Sequence, residues 1–266
     1  MDNEKFAALL EAVRAKRPLV HHITNYVTVN DCANVTLCIG AAPVMAHAPE
    51  EVAEMVAMAG ALVLNIGTPD DRQVQSMLLA GAKANDLGVP VVLDPVGAGA
   101  TRFRTEAARM LLNKLHVAVL KGNAGEIAVL AGAEGKVRGV DSQGVRGDPA
   151  AIARQLADRL GIVVAVSGPT DIVTDGARTL LVDNGHPLMG AVSGTGCMAS
   201  SIAGAFAAVA RDHGTSTAAA LAAFGLAGER AAGRCAGPAS FRIALLDEVG
   251  RLTPSDLRKG ARVREA

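Results

Sequence analysis

Apolar, β-branched runs of five or six residues recur along the chain, at Ala61–Ile66, Val89–Asp94, Val117–Lys121 and Ile162–Ser167. Unbroken apolarity over that length predicts strands buried on both faces. Between these runs, apolar positions repeat with helical spacing at about 50–59, 70–87, 103–114 and 148–160. Strands alternating with helices predict an α/β fold with a mostly parallel central sheet, covered on both sides. At Asp171–Asp183 the pattern shortens to two strands around Asp175-Gly176, a hairpin signal. Beyond Gly196 the text predicts helices only, over 197–210, 215–235 and 239–249, and the charged stretch Arg251–Ala266 reads as a frayed terminus. No linker, repeat or low-complexity segment divides the chain, so residues 1–266 are expected to form one domain.

Composition narrows the function classes. Half of the 266 residues are apolar, yet there is no Trp, one Tyr and five Phe, which argues against stacking on single-stranded nucleic acid. The formal net charge is zero and no basic run crosses the body of the chain, so tracking of a phosphate backbone is not expected. The first eighteen residues form a charged amphipathic pattern rather than a signal peptide, and no apolar stretch reaches membrane-spanning length. Cys32, Cys38, Cys197 and Cys235 make no C-x-x-C pair and no zinc-like spacing. A soluble protein of a reducing compartment, the cytoplasm, is the expectation, with neither nucleic acid nor membrane as partner.

Ligands of open α/β sheets collect at the carboxyl ends of the strands, and those ends carry the chemistry-bearing text. Four of them read Asn65-Ile66-Gly67-Thr68, Asp94-Pro95-Val96-Gly97, Lys121-Gly122-Asn123-Ala124-Gly125-Glu126 and Ser167-Gly168-Pro169-Thr170. A fifth glycine-rich turn, Ser193-Gly194-Thr195-Gly196-Cys197, opens a helix of small residues. Free amides and the positive end of the helix dipole suit such a turn to a phosphate. The turn also fits G-x-G-x-x-G/A, but it follows loop-like text and leads only into helices, so a Rossmann site is disfavoured. Asp94 and Glu126 end successive strand regions, and a nucleotide-borne Mg²⁺ takes one or two such carboxylates. Equally, Asp94 could cap a turn and Glu126 could sit in the first turn of a helix. Cys197 lies in a helix first turn, where the dipole is expected to lower its pKa and favour a thiolate able to take a proton from an alcohol. The other three cysteines read as core residues. His21 and His22 fall on opposite faces of a strand, a poor joint metal site, and one of them is expected to be buried and hydrogen-bonded.

Taken in order, HHITNYVTVNDCAN, GAAPVMAHAPEE, LVLNIGT, VVLDPVGAGATRFR, LKGNAGEI, VSGPTDIV and SGTGCMASSIAGAF resemble the hydroxyethylthiazole kinases of the ribokinase-like superfamily, across about residues 10–250. Other kinases of that superfamily usually place Asp where Cys197 stands. The resemblance implies a three-layer α/β/α fold and MgATP-dependent phosphorylation of a thiazole's primary hydroxyl in thiamine synthesis. It further implies that Asn25, Val27 and Met45 line the thiazole pocket, with Gly67 closing it from a neighbouring subunit and Gly194 touching the substrate beside the catalytic Cys197. Lys121 and Ser167 would meet ATP phosphates, where family members often carry Arg and Thr. The Gly196 amide joins this phosphate cradle, while Asp94, Asn123 and Glu126 would organise Mg²⁺ and its waters. A homotrimer with sites at subunit interfaces completes the picture. Rival readings are a hydroxymethylpyrimidine kinase or nucleotide-dependent dehydratase on the same fold, a non-catalytic nucleotide sensor, and a cysteine-dependent hydrolase.

Overall fold

The computed structural model describes residues 3–132 and 147–266. Its strands are β1 (Leu19–Ile23), β2 (Ala42–Val44), β3 (Ala61–Asn65), β4 (Val91–Asp94), β5 (Val119–Asn123), β6 (Val163–Ser167), β7 (Asp171–Thr174), β8 (Thr179–Val182) and β9 (Val263–Glu265). They form one nine-stranded sheet in the order β2-β1-β3-β4-β5-β6-β7-β8-β9. The strands from β2 to β6 in that order run parallel, and β7, β8 and β9 are antiparallel.

Helices cover both faces. One layer holds α1 (Asn3–Lys16), α2 (Val29–Ile39), α8 (Thr195–Ala207), α9 (His213–Ala232), α10 (Pro238–Arg251) and α11 (Pro254–Gly260); the other holds α3 (Val52–Ala57), α4 (Asp71–Leu87), α5 (Arg102–Lys114), α6 (Ala124–Ala131) and α7 (Pro149–Leu160). Alternate side chains of each central strand feed the two cores. Val63, Val92 and Val119 enter the first, and Leu62, Leu64, Leu93 and Leu120 the second. This two-sided burial is why those strands read as continuous apolar runs. Small residues let α8 lie close on the sheet: a Cβ on Gly204 would stand 2.5 Å from Val63 Cγ2. The three-layer architecture expected from the sequence is the one observed.

The C-terminus departs from expectation. Instead of fraying, it folds α11 and then pairs β9 antiparallel to β8, with Val263 opposite Val182. A capping box between Thr253 and Asp256 starts α11, whose Leu257 is fully buried. The charges that made the segment look disordered dress an edge strand and its turn: Arg264 pairs with Asp183 at 3.0 Å and Asp256 with Arg230 at 2.7 Å. On the N-terminal side, Val29–Ile39 is a helix closed by left-handed Gly40, because its buried face, Cys32, Val35, Thr36 and Ile39, follows helical spacing.

Candidate active site

Because β1 to β6 are parallel, the loops that follow them open at one end of the sheet, and α8 starts there as well. The α8 turn requires glycine. Gly194 is the N-cap with φ +93°, and a Cβ there would stand 2.5 Å from Thr28 Cγ2. No side chain among the described residues caps this helix start, which leaves its first amides facing a ligand position. The carbonyl of Gly196 is held from the other side by Lys121 Nζ at 2.9 Å. Lys121 is 3% exposed and lies within β5, two residues before its end.

Cys197 is reached by two side-chain amides. Asn65 Nδ2 donates to its sulfur at 3.2 Å and Asn25 Nδ2 at 3.4 Å. Asn65 Nδ2 also donates to Asp94 Oδ2 at 3.0 Å, and Ser200 Oγ donates to the same oxygen at 2.7 Å. Asn65 and Asp94 face each other in the β3–β4 register, which is what joins cysteine and carboxylate. The orientation of both amides follows from their partners: Asn65 Oδ1 accepts from Gly67 N and Asn25 Nδ2, and Asn25 Oδ1 accepts from the backbone N and hydroxyl of Thr28. Asn25 is therefore fully occupied as a strut between the β1 loop and the cysteine.

Glu126 sits in the first turn of α6 and makes a capping box with Asn123. Its Oε2 accepts from Asn123 N and its Oε1 from Gly97 N, both at 2.8 Å. Burial, and then the Asp94 charge, push its carboxyl up to about 7. Burial likewise raises Asp94 despite the Lys121 ammonium. Two carboxyls so disfavoured as anions would be relieved by a cation. Asp94 Oδ1 accepts no hydrogen bond within the described residues, which leaves it a donor position for a metal. No group of three or more His, Cys, Asp or Glu gathers among the described residues. Two carboxylates without a full cage fit Mg²⁺ arriving on a nucleotide, which keeps phosphate oxygens and waters as its other ligands.

The expected thiolate is not supported. Burial, and then the nearby Asp94, raise the Cys197 pKa, outweighing the Thr28 and Asn65 hydrogen bonds and the Lys121 charge. Ser167 closes β6, and its Oγ donates to Gly122 O at 3.3 Å, beside the Lys121 strand. Val27, 68% exposed, and half-buried Met45 stand in the loops after β1 and β2, at the same end but outside the hydrogen-bonded centre. Next to them a cleft of about 260 Å³ is lined by Tyr26, His47, Ala48, Asp70, Arg72 and Gln73. His21 and His22 are both buried, each hydrogen-bonded to one backbone carbonyl, and desolvation lowers both pKa values. Asn65, Thr28 and Ser200 carried no role in the sequence reading. Asn65 had a signal, a polar residue ending an apolar strand just as Asp94 does, whereas Ser200 is hidden among the small residues of α8.

Fold and site together define a ribokinase-like protein: a mostly parallel α/β/α sandwich whose strand ends and helix start converge on a lysine, two carboxyls and a cysteine. A ribokinase-like superfamily protein from Enterococcus faecalis shares the fold at TM-score 0.62 and 15% identity, covering 91% of this chain and 89% of that one. Within that class, the chain belongs to the hydroxyethylthiazole kinase family, whose model matches residues 10–255. A hydroxyethylthiazole kinase from Methanocella arvoryzae is 73% identical over 266 residues, all of both chains. The structure of a hydroxyethylthiazole kinase protein from Pyrococcus horikoshii OT3 superposes with TM-score 0.91 at 45% identity, covering 98% of this chain and 99% of that one. These relatives do not favour the pyrimidine-kinase, dehydratase, sensor or hydrolase readings. No helix among the described residues is long and apolar enough to cross a membrane.

Proposed function

We propose that this chain transfers the γ-phosphoryl group of MgATP to the primary hydroxyl of 4-methyl-5-(2-hydroxyethyl)thiazole, as one catalytic domain serving thiamine synthesis or salvage. The observation that carries the reading is the convergence at Cys197: an uncapped helix start, two amides on its sulfur, and a path through Asn65 to Asp94. The family supplies the substrate. The alcohol oxygen attacks the γ-phosphorus in line, its bond to phosphorus forming as the bond to the β,γ-bridging oxygen breaks, and ADP leaves. The α8 amides from Gly194 to Cys197 hold the moving phosphoryl group, and Lys121 balances charge on the nucleotide beside them. Ser167 and Asn123 flank the same phosphates.

Cys197 orients the alcohol; with its pKa raised it stays a thiol. Because the transition state is loose, the alcohol's proton is lost late, to an oxygen of the transferred phosphoryl group, directly or through the thiol as it gives up its own proton to that oxygen. Mg²⁺, when bound, would be held by Asp94 and Glu126 and supplies charge neutralisation at the phosphates. Asn25, Val27, Met45, Gly67 and Gly194 form the thiazole end. Exposed Val27 and Tyr26, 68% and 62% accessible in the single chain, support a neighbouring subunit closing that end, as in a homotrimer. Four unpaired cysteines support a reducing compartment, the cytoplasm. ADP release should depend on the thiazole alcohol and Mg²⁺ together. Turnover only with a hydroxymethylpyrimidine would remove the substrate assignment.

A further inference from the structure

A cysteine sulfur is a weak hydrogen-bond acceptor, so the donors that reach it decide which way it faces. The sulfur of Cys197 accepts from the side-chain amides of Asn65 and Asn25. With both amides fixed, the face that the sulfur turns toward a reacting hydroxyl is fixed as well. The amides are fixed strongly. Asn65 is 1% exposed and Asn25 3%, and every polar atom of both side chains has a partner. Asn65 alone also spans to Asp94, and its Oδ1 takes the amide of Gly67, so one side chain ties cysteine, carboxylate and the loop after β3.

The geometry points to Asn65 as the positioning residue of the transfer centre: it aims the sulfur of Cys197 and fixes the spacing between that sulfur and Asp94. This rests on the phosphoryl-transfer reading above and adds a residue to it. Asn65 need not touch substrate; it acts through Cys197. Replacing it therefore misaims the reacting hydroxyl's partner without removing a binding group for either substrate.

The test measures Asn65→Ala and isosteric Asn65→Asp, each with Cys197 intact and with Cys197→Ala, following kcat, both KM values and Tm. The expected loss for Asn65→Ala is about 10–100-fold in kcat, with KM for ATP and for the thiazole within about threefold. In the Cys197→Ala background the same substitution should cost several-fold less, since the sulfur it aims is gone and only its bonds to Asp94 and Gly67 still count. A crystal structure of Asn65→Ala should show the Cys197 sulfur displaced or split between rotamers. Where Asn65→Ala fails to fold, Asn65→Asp, which sets a carboxylate oxygen against Asp94 Oδ2 and the sulfur, should show the same cycle. Unchanged kcat, a full multiplicative loss without Cys197, or an unmoved sulfur overturns the proposal while the kinase reading stands. Wild-type chain inert toward the thiazole alcohol would instead sink that reading, and the role of Asn65 with it.

Discussion

Replacing Gly194 by alanine loads two separable strains onto the turn at the start of α8. Its φ of +93° lies where side chains other than glycine are unfavourable, at a cost of about 1–2 kcal/mol. Its new Cβ would stand 2.5 Å from Thr28 Cγ2, well inside the 3.4 Å at which ordinary contact begins. Overpacking of that kind costs about 1–3 kcal/mol. Near the middle of the combined range, roughly 3 kcal/mol, a chain of this size should lose roughly 6–12 °C in Tm. Thermal unfolding of four proteins separates the two strains: wild type, Gly194→Ala, Thr28→Ser and the double variant. Serine keeps the Thr28 hydroxyl on Asn25 Oδ1 but deletes the methyl. In that background the nearest neighbour left is the residue-28 Cβ at 3.1 Å, so Gly194→Ala should cost clearly less, little more than the backbone cost of about 1–2 kcal/mol. Equal cost in both backgrounds would refute the contact between the turn and α2's N-terminal loop, and with it the reason glycine stands at 194. Turnover should fall in Gly194→Ala alongside stability, since the first amides of α8 move with the turn.

Cys197→Ala should lower kcat strongly and leave ATP binding nearly intact, since the proposed role is confined to the reacting hydroxyl; unchanged turnover would remove Cys197 from the mechanism. Glu126, pushed up to about 7 by burial and Asp94, binds a proton in the folded chain that the unfolded chain releases at lower pH. Stability of metal-free protein should therefore fall as pH rises from about 4.5 through about 7, the sign expected for a raised carboxyl. Glu126→Gln should flatten that slope, which unfolding scans across the same range will read. Truncation after Leu252 should lower Tm markedly, because it uncovers β8 and removes buried Leu257; a fully stable truncated chain would restore the frayed-tail reading.

The layers were legible in the sequence because buried parallel strands leave an unambiguous trace. LVLN, VVLD and VVAVS have no polar interruption until the site begins. Asp94, Lys121, Glu126 and Cys197 were visible for the same reason, as reactive groups where apolar text ends. What stayed hidden depends on pairing between distant segments. The tail looked like solvent-exposed charge because nothing local says that Arg264 will meet Asp183 across a sheet edge. The protonation of Cys197 went the wrong way in a local argument: the helix start was visible, but its burial and its proximity to Asp94 were not. Asn65 needed the β3–β4 register to acquire its meaning.

The central claim concerns where the travelling phosphoryl group lies. A crystal structure with a non-hydrolysable ATP analogue, Mg²⁺ and hydroxyethylthiazole measures it directly. The account predicts the terminal phosphate on the amides of Gly194 to Cys197, with the thiazole hydroxyl between that phosphate and the Cys197 sulfur. A terminal phosphate seated away from the α8 turn would contradict it.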